Sequence, residues 1–141
     1  MLKNINKNIK ILYVEDDEIA RENGVEYLQN FFEQIYEASD AIKALQLYEK
    51  YQPDIIITDI QMPKLNGLEF VKRIRQKDKK TQIIIITAFC DKDYLLKAIE
   101  LGLVKYLVKP VCEKEFEEAL FLCVNSLQNN ESNIIKLDEN S

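Results

Sequence analysis

Two uninterrupted runs of β-branched residues constrain this chain more than any other feature. Ile55-Ile56-Ile57 leads into Thr58-Asp59, and Ile83-Ile84-Ile85-Ile86 leads into Thr87. A strand with one wet face alternates apolar with polar residues. An unbroken apolar run has no wet face and suits a strand covered by helices on both sides of a parallel sheet. Pro53 stops whatever helix precedes the first run, because proline lacks an N–H and disfavours helical geometry in the residue before it. The first run ends on an acid, Asp59, and a turn containing Pro63, Asn66 and Gly67 follows. Open α/β sheets bind their ligands at the carboxyl ends of the strands, so Asp59 stands where such a fold does its chemistry.

The remaining elements fall around these two runs. Lys10 to Val14 reads as a first strand running into Glu15-Asp16-Asp17-Glu18. A helix follows with Ala20, Gly24, Leu28 and Phe31 or Phe32 at helical spacing, and acids in its first turn complement the helix dipole. Gln34 to Ala38 reads as a short second strand. Ser39 is the expected cap of a helix whose apolar face is Ala41, Ala44, Leu45 and Tyr48. After Asp59 a third helix carries Leu68, Val71 and Ile74 on one face. Beyond the second apolar run, a fourth helix points Tyr94, Leu95, Ala98 and Ile99 inward and ends at Gly102. Val104 to Val108 forms a fifth strand before Lys109-Pro110. The last helix runs from about Glu113 to Leu127, with Phe116, Leu120, Cys123 and Leu127 at helical intervals. Five βα units in succession imply an α/β fold: a three-layer, doubly wound sandwich around a parallel five-stranded sheet of order 2-1-3-4-5. Residues 1–127 are expected to form this domain. Residues 128–141 turn polar and read as a linker or tail, possibly the stump of a removed output domain.

Composition excludes several classes. The 141 residues suffice for one domain with one core. The formal charge of −5 gives no reason to expect this domain to contact nucleic acid. There is no histidine, which removes Ser-His-Asp and Cys-His catalysis and histidine-based zinc sites. Cys90, Cys112 and Cys123 are odd in number and lack CxxC spacing, which suits a reducing compartment. No stretch is long and apolar enough for a membrane helix, and residues 1–10 carry no secretory apolar core. The expected location is cytoplasmic.

In the order 2-1-3-4-5, the strand ends bring Glu15 and Asp16, Asp59, Thr87 and Lys109 to one pocket. Three carboxylates packed together repel one another in a partly desolvated site. A hard divalent cation relieves this, and Mg²⁺ takes oxygen ligands while keeping waters and phosphate oxygens in its shell. Three carboxylates, one Mg²⁺ and one lysine ammonium sum to zero charge. Such a site can accept a phosphoryl group on Asp59, with the carboxylate as nucleophile and Lys109 and Thr87 as donors to phosphoryl oxygens. Ala88 leaves space for the entering group.

The Glu15-Asp16 pair, the Asp59 strand with Met62-Pro63 and Gly67, the Thr87-Ala88 pair, and Tyr106-Leu107-Val108-Lys109-Pro110 together resemble the receiver domain of two-component response regulators. This is a flavodoxin-like, CheY-like fold. The resemblance covers about Lys10 to Leu127, with these motifs in order. It implies that Asp59 is the phosphoacceptor, taking phosphate from a sensor histidine kinase or a phosphotransfer protein. It implies that Asp16 binds Mg²⁺ directly, Glu15 through water, and Gln61 through its backbone carbonyl, alongside Asp59. Lys109 would hold the phosphoryl group, and Thr87 and Tyr106 would form a switch that remodels the surface of the fourth helix, fifth strand and fifth helix. The same surface would serve a homodimer. Such a domain is a signalling switch rather than an enzyme, with only slow self-dephosphorylation, and its output is expected to be transcriptional or another response.

The chain departs from the family pattern at three places. Leu103 stands where a small residue is usual and is expected to shift the start of the fifth strand. Asp17 adds an acid suited to the helix N-terminus. Gln61 and Phe89 occupy positions that tune hydrolysis of the acyl phosphate. Singly, each motif has an ordinary explanation: acids start helices, Asp59 can form a turn, Thr87 is a strand former, Tyr106 can be core, and Lys109 can be a solvated charge. Their joint arrangement outweighs these. An aspartate-nucleophile phosphatase would need a second Asp where Gln61 stands. An FMN carrier would need a hydroxyl- and amide-rich loop where Glu15-Asp16-Asp17-Glu18 stands. A receiver-like module that has lost phosphorylation would not be expected to keep all five site residues.

Overall fold

The structure, a computed structural model, describes residues 2, 5–62, 64–88 and 92–140, with residues 130–140 described by their backbone alone. Pro63, Phe89 and Cys90 therefore lie outside the described residues. Five strands, β1 (Asn6–Val14), β2 (Phe32–Ala38), β3 (Ile55–Thr58), β4 (Gln82–Thr87) and β5 (Lys105–Val108), form one parallel sheet in the order β2-β1-β3-β4-β5. Five helices alternate with them: α1 (Glu18–Leu28), α2 (Ala41–Tyr51), α3 (Gly67–Lys77), α4 (Lys92–Glu100) and α5 (Glu113–Asn140).

The two apolar runs explain the layering. Successive side chains of a strand point to opposite faces. Leu12, Val14, Ile56, Ile83 and Ile85 therefore pack on one side with Ala41, Ala44, Val71, Ile74 and Ala98 from α2, α3 and α4. Ile11, Ile55, Ile57, Ile84 and Ile86 face the other side, with Leu28 of α1 and Phe116, Leu120 and Cys123 of α5. Every residue of β3 is buried, as a strand covered on both faces requires.

Several boundaries differ from the sequence reading. β1 starts at Asn6 rather than Lys10, and β2 at Phe32 rather than Gln34. Asn6 N–H donates to the Phe31 carbonyl at 2.7 Å, and the register then shifts before Lys10 pairs with Gln34. Phe32 thus belongs to the strand and not to the face of α1. The cap of α2 is Asp40, not Ser39: its carboxylate accepts from Lys43 N–H at 2.8 Å. Ile99 was expected inward but is 64% exposed. It lies one residue past buried Ala98, a rotation of about 100° around the helix. β5 begins at Lys105 rather than Val104, although Val104 N–H already bonds the Ile83 carbonyl of β4 at 2.9 Å. α5 continues to Asn140, past the Leu127 expected as its end. Asp17 does cap α1, accepting from Ala20 N–H at 2.9 Å, and Gly102 takes φ +69° after α4. Gly102 has that left-handed conformation at little steric cost.

A polar network ties the helices together at the end of the sheet away from Asp59. Asp78 accepts from the Tyr48 hydroxyl at 2.6 Å and from the N–H groups of Lys80 and Thr81 at 2.9 and 3.0 Å. The Arg75 guanidinium donates to the carbonyls of Leu101, Gly102 and Asp78, which satisfies carbonyls left open where α4 ends. Burial alone would raise the Asp78 carboxyl, but the bonds from Tyr48, Thr81 and Lys80 and the Arg75 charge outweigh it and hold it below the ordinary 3.8. A carboxyl lowered in the fold contributes stability above its unfolded value and loses it as pH falls through the folded value. Asp78→Asn is therefore expected to cost about 2 kcal/mol at neutral pH. The gap to wild type should narrow below about pH 4, which urea midpoints measured at the two ends of this range will check.

Candidate functional site

The site forms where β1, β3, β4 and β5 end. Glu15 follows β1, and its N–H donates to the Ala38 carbonyl at 3.0 Å, so the acid is held against β2. Asp59 follows β3, with its N–H on the Val14 carbonyl at 3.3 Å. Lys109 follows β5, with its N–H on the Thr87 carbonyl at 2.8 Å. Parallel pairing puts these strand ends at one level, which is why residues 94 positions apart meet.

Lys109 Nζ donates to Glu15 Oε1 at 2.6 Å and to Asp59 Oδ2 at 2.8 Å. Asp59 Oδ1 accepts from the Gln61 N–H at 3.1 Å. Both carboxylates are nearly enclosed, with side chains 4% and 10% exposed, while Asp16 is exposed. One oxygen from each of Glu15, Asp16 and Asp59 can lie within 4.8 Å of the others. Among the described residues, Glu15 Oε2 is a buried side-chain oxygen without a hydrogen-bond partner. Burial raises the Glu15 carboxyl and the neighbouring Asp59 adds to this, against the Lys109 ammonium, which lowers it. Burial would lower Lys109, but its bonds to Asp59 and Glu15 outweigh that and raise it, so it stays cationic throughout the physiological range. The nearby Tyr13 phenol is pushed up to about 12, first by burial and then by Glu15 and Asp59.

These features fit a hard divalent cation. The donors are all oxygen, two are sheltered, and one buried oxygen has no hydrogen-bond partner among the described residues. A single lysine leaves three carboxylates undercompensated.

The structure brings together all the acids expected from the sequence, with Lys109 among them. Thr87 is fully buried at the end of β4, and exposed Ala88 follows it. Tyr106 is half-buried on β5, opposite Ile85 of β4, and packs against the α2–α4 side of the core. One contributor is absent from the sequence reading. Arg21 of α1 donates from Nη1 to the Glu15 carbonyl at 2.9 Å. A lone arginine on an acidic helix carries no sequence signal that separates it from a solvated charge.

Comparison with known proteins agrees with this arrangement. The family model described as the response regulator receiver domain matches residues 11–121. The chain belongs to the response regulator receiver domain family. It is 35% identical over 121 residues to an uncharacterized response regulatory protein of Staphylococcus epidermidis, covering 84% of this chain and 47% of that one. It is 37% identical over 114 residues to the transcriptional regulatory protein BtsR of Escherichia coli, covering 79% of this chain and 46% of that one. The chain thus spans about half the length of these curated relatives. Among solved structures, the N-terminal domain of an uncharacterized protein from Wolinella succinogenes is similar, with a TM-score of 0.81 and 39% identity over 86% of this chain and 98% of that one. A response regulator receiver domain protein from Clostridium thermocellum gives 0.79 and 27% over 85% and 97%. Among the described residues, no helix is long and apolar enough to cross a membrane.

Proposed function

We propose that this receiver domain is a phosphorylation-dependent switch with Asp59 as phosphoacceptor. The observation that carries the reading is the bridge from Lys109 Nζ to both Glu15 and Asp59, beside a buried Glu15 oxygen that has no hydrogen-bond partner among the described residues. Asp16, Glu15 and Asp59, with the Gln61 backbone carbonyl, would hold Mg²⁺. When bound, the ion neutralises the acids and screens the donor's negative charge.

One Asp59 oxygen attacks the donor phosphorus. The bond from phosphorus to the donor, a phosphohistidine of a sensor kinase or phosphotransfer protein, breaks, and the electron pair leaves with the imidazole. The product on Asp59 is an acyl phosphate. Lys109 already lies against Asp59 and supplies a cation to the new phosphoryl oxygens without a large movement. Thr87, two residues beyond Ile85 on β4, donates its hydroxyl to a phosphoryl oxygen, and the Tyr106 ring follows into the space released. No general acid stands two residues after Asp59, where Gln61 lies, so the domain hydrolyses its acyl phosphate slowly and is not a turnover enzyme.

The output surface on this reading is α4, β5 and α5. Leu96, Ile99 and Val108 are 50%, 64% and 40% exposed, and on this reading they are apolar side chains that a partner, including a second copy, would cover. Relatives named as transcriptional regulators support an output domain beyond this segment, a cytoplasmic location and a gene-regulatory role. Residues 1–127 would then be the receiver and residues 128–141 the connection to that output.

Activation is a population shift: the phosphoryl group stabilises a minor conformer through contacts made only there. Beryllium fluoride with Mg²⁺ mimics the phosphoryl group. It is expected to shift the backbone amide resonances of Thr87, Tyr106 and α4, and Asp59→Asn to abolish the shifts. Changes confined to the Asp59 loop would contradict the switch.

A further inference from the structure

We propose that Arg21 is a positioning residue for the metal centre, acting through the peptide bond that joins Glu15 to Asp16. The proposal rests on the reading that these acids hold Mg²⁺. Arg21 lies one turn into α1, with its N–H on the Asp17 carbonyl at 2.9 Å. Its guanidinium folds back over the β1–α1 loop. Nη1 donates to the Glu15 carbonyl at 2.9 Å, and Nε donates to Glu37 Oε1 at 3.3 Å on β2. The side chain is 17% exposed, against 49% for Glu37, so it is packed in place rather than extended into solvent.

The Glu15 carbonyl oxygen belongs to the same planar unit as the Asp16 nitrogen and Cα. Pinning that oxygen, while Glu15 N–H is held by the Ala38 carbonyl, fixes the plane from which Asp16 projects. Glu15 and Asp16 are adjacent, and in an extended chain adjacent side chains point apart. Both reach one site only if the backbone turns at this peptide, and Arg21 is the group that holds the turn. The fork geometry of a guanidinium suits this task, since one donor takes the carbonyl while a second is anchored on β2.

Charge and position predict opposite outcomes here. Arg21 is a cation near a cation site, so removing its charge alone strengthens Mg²⁺ binding. Removing its hold on the peptide weakens it, and loss of groups that orient metal ligands typically costs about 10-fold or more in affinity. The test is a Mg²⁺ titration of the full chain by calorimetry, for wild type, Arg21→Ala and Arg21→Lys, with amide spectra of each. The expected result is about 10-fold weaker binding in R21A and partial recovery in R21K, whose ammonium can still reach the carbonyl, with spectral changes confined to the β1–α1 loop and Glu37. Unchanged or tighter binding in R21A overturns the proposal, as do spectral changes spread through the sheet. A folded wild-type chain that takes up no Mg²⁺ overturns the metal reading and this proposal with it, whereas wild-type binding with an unaffected R21A overturns this proposal alone.

Discussion

Replacing Gly67 with alanine is expected to destabilise the domain by more than about 3 kcal/mol and to disable the site in whatever fraction still folds. The added Cβ would lie 1.9 Å from the Asp59 carbonyl oxygen, 2.7 Å from Ile60 Cα and 2.8 Å from the Asp59 carbonyl carbon. All three are backbone atoms, so no side chain can swing away. The turn is closed on itself at this point, with Gly67 N–H on the Ile60 carbonyl at 2.7 Å and Asn66 capping α3 through Glu69 N–H at 2.9 Å. Opening it to admit a methyl group moves the peptide that carries Asp59, and with it the contact to Lys109. Gly102→Ala gives the contrast. That position has φ +69° but no atom within 4 Å of a Cβ, so the cost is conformational alone, about 1–2 kcal/mol. Urea midpoints for the two variants will separate them. A Gly67→Ala domain that is as stable as wild type would show that the turn does not constrain Asp59.

Much of this architecture was legible in the sequence, for a reason specific to buried parallel strands. Ile55 to Ile57 and Ile83 to Ile86 have no polar face to confuse their assignment, and the polar residues that follow them, Asp59 and Thr87, mark where each strand reaches the edge of the sheet. Residues 6–9 were not legible as strand, because Asn6 pairs with Phe32 across a register shift and none of the four is buried. Ser39 and Asp40 are equally good caps by composition, and the extended φ of −152° at Asp40 decides between them. Ile99 is apolar but turned outward, which periodicity alone misassigns when a helix buries little more than Ala98. At the site, Glu15, Asp16, Asp59, Thr87 and Lys109 were legible because each stands at a strand end. Arg21 was not, because its partner is a backbone carbonyl, and no sequence pattern records which carbonyl a guanidinium reaches.

Complete loss of phosphoryl uptake is expected for Asp59→Asn. Asparagine is nearly isosteric, and its side-chain oxygen can keep the bond from Gln61 N–H, so the fold is retained. What disappears is the negative charge and with it the nucleophile, since an amide oxygen forms no stable adduct with phosphorus under these conditions. The substitution also removes one of the two carboxylates bridged by Lys109, leaving Glu15 as its remaining close acidic partner. The loss is therefore chemical rather than structural, and unchanged thermal stability within about 1 kcal/mol accompanies it. The decisive measurement is the intact mass of the chain after incubation with acetyl phosphate, with Mg²⁺ or with a chelator, for wild type and Asp59→Asn. The account predicts one added phosphoryl group on wild type with Mg²⁺, little with chelator and none on the variant. A folded wild-type chain that stays unlabelled with Mg²⁺, or an Asp59→Asn chain labelled as fully as wild type, would contradict it.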